Sequence, residues 1–551
     1  MDHIFCPKCG FKNDIKNKFC MQCGEQLASV KAAVIKPTTP PPSPFVETPV
    51  IPTPIAAKKK SNPAVIIAGI AGALLLCVGI GFGAIKLVEL AGELESIPVF
   101  EDIDKEETED EPETTTEATT SETITTTEAV GTTTTTEATT TTKPSLPDEG
   151  KVLNIYAYTT EPREIFETYF NSDYGYELPE DVEVNWEIIA SVDGAYQALL
   201  DENLPENDNL PADERIDLII LENSFAGDYI YGDYLMNVAD LGFTESDLSD
   251  QYKFTHQLAS DGDGNIKGLA YHAAPSAFYY RRSFAKEVFG TDEPDEIQKE
   301  LSSWARFDAS AWALDSFGYY ITASYSETFR PFRDSSTTPV INADGNLEVP
   351  QSWRDWADHA KKYRDNILAH YAEPWSENWY GNMKTESLAF GFIGPLWFAD
   401  YVLADNTDFY ADWAICEGPA PSYWGGSMIS AAAGTDNEAL AAEIMKCLTL
   451  DPDVAYDLSA NGIVYANSIT AMNRLSASSD GEYGLLGGQN PFEVFNRAGQ
   501  KLDLGVVSPN TEDISAEFAY AMYDYIDSED TYQSCYNDFL GYVENEYGLT
   551  P

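Results

Sequence analysis

The uncharged run from Ala64 to Ile85 divides this chain into two parts that belong in different compartments. It is 22 residues long and rich in Ala, Ile, Leu and Gly. At about 1.5 Å per residue, a helix of that length covers the roughly 30 Å hydrocarbon core of a bilayer. Lys58, Lys59 and Lys60 precede it, and Glu89, Glu93 and Glu95 follow. The lysine side stays in the cytoplasm by the positive-inside rule. The sequence therefore predicts a single-pass protein of the cell membrane, with a helix over 64–86, a cytoplasmic N-terminus and an extracellular C-terminal part. Leu74-Leu-Leu-Cys77 loosely suggests a lipoprotein cleavage site. However, Leu76 stands where a small residue is wanted, the apolar run continues past Cys77, and some 60 residues come before it. A retained span fits better.

Charge separates the same two parts. Residues 1–60 hold nine Lys and four acids (Asp2, Asp14, Glu25, Glu47), a net of +5. The whole chain is −58, so −63 lies beyond residue 60. An external field of that sign repels phosphates and argues against nucleic acid as a partner. Four of the eight cysteines fall in the first 24 residues and one in the span. Cys416, Cys447 and Cys535 alone lie outside. An external domain of this size buries enough apolar surface to need no disulfide staple.

The four N-terminal cysteines form two Cys-x-x-Cys knuckles, Cys6-Pro-Lys-Cys9 and Cys20-Met-Gln-Cys23, ten residues apart. Four thiolates at that spacing suit one tetrahedral Zn2+, and Gly10 and Gly24 allow the chain to turn after each knuckle. A redox Cys-x-x-Cys would call for a βαβ context that is absent here. Residues 1–28 are expected to be a zinc ribbon whose metal supplies its folding free energy. This head resembles the small zinc-ribbon modules at the N-terminus of many bacterial membrane proteins, which implies a structural ion and not a catalytic one.

Two linkers flank the span. Residues 29–60 form a cytoplasmic linker with eight prolines between Pro37 and Pro54, an extended spacer. Residues 89–149 are acidic and then Thr-rich, with 18 Thr between Thr114 and Thr142. No apolar periodicity exists there to build a core, so this segment reads as a disordered stalk spanning about 40–45 Å.

The external domain, 151–551, opens with a strand, Val152 to Tyr158. A helix starting near Pro162, a strand over Val182–Ile189, a helix over Gly194–Leu200 and a strand over Asp217–Leu221 follow. Strand, helix, strand, helix, strand predicts a parallel α/β sheet. Ligands of such sheets sit beyond the carboxyl ends of the strands. That places Tyr158 and Glu161, after the first strand, and Glu222 and Asn223, after the third, at a candidate ligand site. Asp261-Gly-Asp-Gly-Asn265 is similar to a calcium loop but lacks Gly at the sixth position and Glu at the twelfth, and reads as a hairpin turn. The external histidines show no triad or metal spacing, and no carboxylate pair stands out for glycosidase work. Binding without covalent chemistry is expected.

From here the chain resembles the extracellular solute-binding proteins of ABC importers, in particular the sugar-binding, maltose-binding-like group. The matching segments, in order, are Asp217-Leu-Ile-Ile, Asp263 to Tyr271, Phe278-Tyr-Tyr-Arg-Arg-Ser-Phe284, Ser303-Trp304, Phe392-Ile-Gly-Pro-Leu-Trp397, Trp413 to Pro421 with Tyr423-Trp-Gly-Gly-Ser427, and Asn437 to Leu448. Ala270 stands where the family often has Pro, Leu396 separates the Gly-Pro pair from Trp397, and a span replaces the usual lipid anchor. The resemblance implies a two-lobed, periplasmic-binding-protein-like (type II) α/β fold that closes on its ligand. One lobe is expected over about 151–265 and 426–470, the other over about 270–424 and 475–551. It also implies a carbohydrate ligand and ABC permease subunits as partners.

Sugar sites combine flat aromatic faces with directional polar groups. By similarity, Tyr325, Glu327 and Arg330 enter the cleft from the second lobe, and Trp397 and Trp424 sit on the two turns. With Tyr158, Glu161, Glu222 and Asn223 these make the candidate ligand set. Two other functions would use the same domain: a sensor that reports ligand across the span, and a glycan-binding surface adhesion protein. The Thr-rich stalk transmits neither torque nor displacement, which weighs against the sensor.

Overall fold

The structure is a computed structural model. It describes residues 150–551, apart from Thr385 and Glu529, and two short N-terminal strands. Strands β1 (His3–Phe5) and β2 (Lys12–Asp14) pair antiparallel, with His3 opposite Asp14. Cys6, Cys9, Cys20 and Cys23, the predicted span 64–86 and both linkers lie outside the described residues. Among the described residues no helix is long and apolar enough to cross a membrane.

The first sheet contains the three strands expected from sequence. β3 (Val152–Ala157) lies parallel to both β4 (Glu183–Ile188) and β5 (Ile216–Glu222). Six of the seven residues of β5 are buried, because helices cover both of its faces. Leu153, Ile155, Leu218 and Ile220 face the helices Glu161–Tyr169 and Glu438–Leu450, while Ile219 and Leu221 face Tyr196 and Leu200 of the helix Ala195–Asn203. Near the start of β5 the buried Asp217 carboxylate accepts bonds from the Asn154 amide nitrogen (2.7 Å), Thr435 Oγ1 (2.5 Å) and Asn437 Nδ2 (3.2 Å). It thereby ties β3 and β5 to the chain segment that enters the helix Glu438–Leu450.

Two further strands complete this sheet: β6 (Leu269–His272), and a returning strand over Ser427–Ala431 that is antiparallel to both β5 and β6. The chain thus crosses to the second sheet after His272, a few residues later than the sequence suggested. Leu269, Ala270 and Tyr271 are fully buried in the first sheet's core, and that burial holds them there. Before β6, Ser260 bridges Ile266, and Asp261 and Asn265 close the hairpin turn around Gly264, whose φ is +83°.

The second sheet runs in the order β10-β7-β9-β8, with β7 at Ala277–Arg281, β8 at Tyr320–Thr322, β9 at Ala389–Gly394 and β10 at Trp413–Cys416. β7 is antiparallel to β9 and β10, and β8 is parallel to β9. Alternation along the strands splits its two faces. Phe278, Tyr280, Ile321 and Phe390 pack toward Trp353 and Trp356 of the helix Gln351–Asn366. Tyr279, Phe392 and Trp413 face the other way and join the core of the first sheet. Cys416, Cys447 and Cys535 are buried free thiols.

Three stretches of chain lie side by side between the sheets. Ser276 N donates to Ser422 O (2.8 Å), Trp424 N to Ala274 O (3.2 Å) and Ala273 N to Tyr465 O (2.9 Å). The two direct crossings, 273–276 and 417–426, are therefore hydrogen-bonded to each other and not independent loops.

Candidate functional site

The carboxyl ends of β3 and β5 and the turn into Ser427 meet beside these crossings. Tyr158 follows β3, and its hydroxyl lies 2.5 Å from Ser427 Oγ. The edge of its ring meets Phe225 at 5.8 Å. Glu161 begins the next helix and accepts a bond from the Tyr271 hydroxyl at 3.2 Å. At the end of β5, Asn223 is pinned to the turn: its backbone N–H donates to Gly426 O (3.0 Å) and its side-chain Nδ2 to Gly425 O (2.9 Å). Gly425 and Gly426 have φ of +73° and +105°, and a Cβ on Gly426 would fall 2.8 Å from His272 O. Only glycine fits so close to the crossing backbone. A Cβ on Gly425 would lie 3.5 Å from Glu222 Oε1 and 3.7 Å from Trp397 Nε1. Glu222 of the first sheet and Trp397 of the second thus flank one point.

The second sheet contributes an aromatic wall. Trp397 follows β9 and donates its indole N–H to Trp424 O (3.1 Å), and the two rings are 4.9 Å apart at 69°. Trp375 lies 6.1 Å from Trp397, nearly parallel at 7°, and 5.5 Å from Trp424. The Arg330 guanidinium sits 4.0 Å above the Trp424 ring, a cation–π contact. Glu327 is buried and accepts the Trp379 indole N–H at 2.5 Å, and Trp379 packs in turn on Trp375. A turn of π-helix, Phe398–Leu403, follows Trp397 directly, an irregularity common at functional sites.

Of the nine candidates, eight converge. Tyr158, Glu161, Glu222 and Asn223 form one side. Trp397, Trp424 and Arg330 form the other, with Glu327 behind Trp379. Tyr325 is placed elsewhere: it is 2 % exposed, its ring packs on Tyr371 and Tyr523, and its hydroxyl donates to Asp527 Oδ2 (2.8 Å). Its role is in the core of the second sheet. Sequence reasoning missed Trp375. It is 45 % exposed, and its backbone is left-handed, with φ of +70°. A bulky side chain in that region is an outlier that points to function when the surroundings enforce it. The only cue in the sequence is the Pro374-Trp375 pair, which is too common to single out.

Carboxyl groups in and around the site hold their protons unusually tightly. Burial pushes Glu161 up to about 7, against the bond from Tyr271. It also pushes Glu327 up to about 8, Glu373 to about 7 with help from Asp527, and Asp400 to about 7. Between about pH 4 and about pH 8 the folded chain keeps protons here that the unfolded chain has released, so stability falls as pH rises through that window. The melting temperature is therefore expected to be higher near pH 5 than near pH 8.5. Tryptophan fluorescence reads it cleanly in the full chain, because all ten tryptophans lie between Trp186 and Trp424. A difference abolished by molar salt would instead assign the effect to screened surface repulsion.

No protein-family model and no curated protein matches the sequence. Solved structures do match. An extracellular solute-binding protein of family 1 is similar over 72% of this chain and 99% of its own, with a TM-score of 0.62 and 17% identity. The sugar-binding protein MalE of Xanthomonas citri covers 72% and 96%, at 0.56 and 13%. The galacto-N-biose-/lacto-N-biose I-binding protein of the ABC transporter of Bifidobacterium longum, solved with lacto-N-biose, covers 73% and 100%, at 0.54 and 16%. Two mixed α/β sheets joined by paired crossings, with a Trp–carboxylate site beside them, give residues 150–551 the fold of the type II extracellular solute-binding proteins.

Proposed function

We propose that this chain is a membrane-anchored extracellular solute-binding protein that captures a carbohydrate and delivers it to ABC permease subunits, by closure of two lobes and without covalent chemistry. The observation that carries this reading is the convergence of three indole rings, Trp375, Trp397 and Trp424, with Glu161, Glu222 and Asn223 next to the crossings. Indole faces suit pyranose rings, and carboxylate and amide oxygens suit their hydroxyls. The similar solved proteins with this fold include sugar binders of ABC transporters, which supports the same ligand class. In this reading the 64–86 span anchors the protein, the 89–149 stalk tethers the domain outside the cell, and Cys6, Cys9, Cys20 and Cys23 hold a structural Zn2+ on the cytoplasmic side.

A thermal-shift screen of the detergent-solubilised full chain against mono- and oligosaccharides and peptides tests the proposal. A ligand that binds the folded state raises the melting temperature, by about 2.7 kcal/mol of stabilisation at a hundredfold excess over Kd. A shift with an oligosaccharide supports capture. A shift with peptides alone would overturn the carbohydrate reading.

A further inference from the structure

One aromatic residue beside the site has no part in the convergence described above. Tyr401 is 58 % exposed. A single exposed ring needs no explanation by itself, but the placement of this one does. It stands on the turn of π-helix Phe398–Leu403, which follows Trp397 directly and is the only π-helical turn among the described residues. Such turns gather at functional sites. Phe398, Ala399, Val402 and Leu403 are buried in the core that the two sheets share, and they fix the turn so that Tyr401 stands outward. What it faces is Glu161. Desolvation, and after it the charges of Glu161 and Asp400, push the Tyr401 hydroxyl above its ordinary range, which requires these groups to be close.

The two sides of the site are matched in spacing. Glu161 follows β3 and Glu222 ends β5, and these strands are paired neighbours. Opposite them, Trp397 and Tyr401 are four residues apart at the start of one helical turn, a spacing that brings side chains about 5–6 Å apart on one face. Trp397 flanks Glu222 across Gly425. Two aromatic–carboxyl pairs therefore stand side by side, Trp397 with Glu222 and Tyr401 with Glu161, offset by about one sugar ring.

Resting on the reading above, we infer that Tyr401 is a second sugar-stacking platform and that the ligand is an oligosaccharide, with one ring against the tryptophans and the next between Tyr401 and Glu161. The phenol ring offers a flat face to the second pyranose, and the Glu161 carboxyl bonds its hydroxyls. A monosaccharide fills the tryptophan part alone and leaves Tyr401 in water. The longer ligand touches both sheets at two points, so it favours closure of the lobes more than a single ring can.

The test is isothermal titration of the full chain, wild type, Tyr401→Ala and Tyr401→Phe, with the mono-, di- and trisaccharides of three series: glucose to maltotriose, galactose to galactotriose, and N-acetylglucosamine to chitotriose. The expected result is a series in which the wild type binds the trisaccharide more tightly than the monosaccharide. Tyr401→Ala should bind that trisaccharide about tenfold more weakly, with monosaccharide affinity and melting temperature unchanged. Tyr401→Phe should keep the wild-type affinity, because the ring and not the hydroxyl does the stacking. Equal affinity of wild type and Tyr401→Ala for the trisaccharide overturns the inference and leaves carbohydrate capture standing. Equal losses for mono- and trisaccharide, with a lower melting temperature, also overturn it, since Tyr401 would then only hold the turn beneath Trp397. Binding of no sugar by cooperatively folded protein overturns the carbohydrate reading and the inference with it.

Discussion

Replacing Arg333 by alanine is expected to destabilise the fold of residues 150–551 by about 3–5 kcal/mol, because it would strand the buried Asp334 carboxylate and the partly buried Glu512 carboxylate beside it. Arg333 Nε bonds Asp334 Oδ1 at 2.6 Å, and its NH1 bonds Glu512 Oε2 at 2.6 Å. The side chains of Arg333 and Asp334 are only 8% and 2% exposed. The network continues into the crossing segment. Asp334 Oδ2 accepts the Tyr423 backbone N–H at 3.0 Å, the Tyr423 hydroxyl donates to Glu512, and the guanidinium lies 4.7 Å over the Tyr423 ring. Burial works to raise the Asp334 carboxyl, and Arg333 opposes it. Without that cation the group must take a proton or pull the chain toward water. Urea unfolding followed by tryptophan fluorescence measures the loss. Adding Asp334→Asn to Arg333→Met should recover a large part of it, because the pair is then removed together. A loss below about 1 kcal/mol for Arg333→Ala would show that Asp334 and Glu512 are hydrated in solution and that the network is weak.

The same network shows why one half of the fold could be read from sequence and the other could not. Strands β3, β4 and β5 declare themselves as β-rich or apolar runs separated by helical stretches, since a strand that is covered on both faces needs apolar residues throughout. Their order then fixes where the site must be, and Tyr158, Glu161, Glu222 and Asn223 followed from strand ends alone. The returning strand Ser427–Ala431 is five residues of mostly small side chains with no period of its own, and only the family resemblance located it. The switch between sheets after His272 turns on Leu269 pairing with Ile429, a contact 160 residues distant that no local pattern encodes. Tyr325 was chosen for its segment, but side-chain direction decides its role. Its hydroxyl finds Asp527, on a helix 202 residues further along the chain. Arg330, five residues on, points the other way, to Trp424.

Replacing Trp375 by glycine is expected to weaken binding without lowering stability, which a purely structural tryptophan would not do. Left-handed backbone costs a non-glycine residue roughly 1–2 kcal/mol, and glycine adopts it freely. Trp375 is 45 % exposed, so truncation forfeits only part of a full indole burial. Those two effects nearly cancel, and the melting temperature of the unliganded protein should change little or rise. The ring itself stands near Trp397 and Trp424 at the open side of the aromatic wall, where a sugar face can cover it. Tryptophans that fill such positions carry about 2 kcal/mol of binding energy, which is roughly thirtyfold in Kd. Titration of the Trp375→Gly protein with the glycan that shifts the wild-type melt should therefore show that loss. Trp397→Ala is the comparison: its half-buried ring supports Trp424 through the indole N–H bond, so it should lose affinity and stability together. If Trp375→Gly bound as tightly as wild type, the left-handed tryptophan would be a packing feature of the loop, and the ligand would have to lie against Trp397 and Trp424 alone.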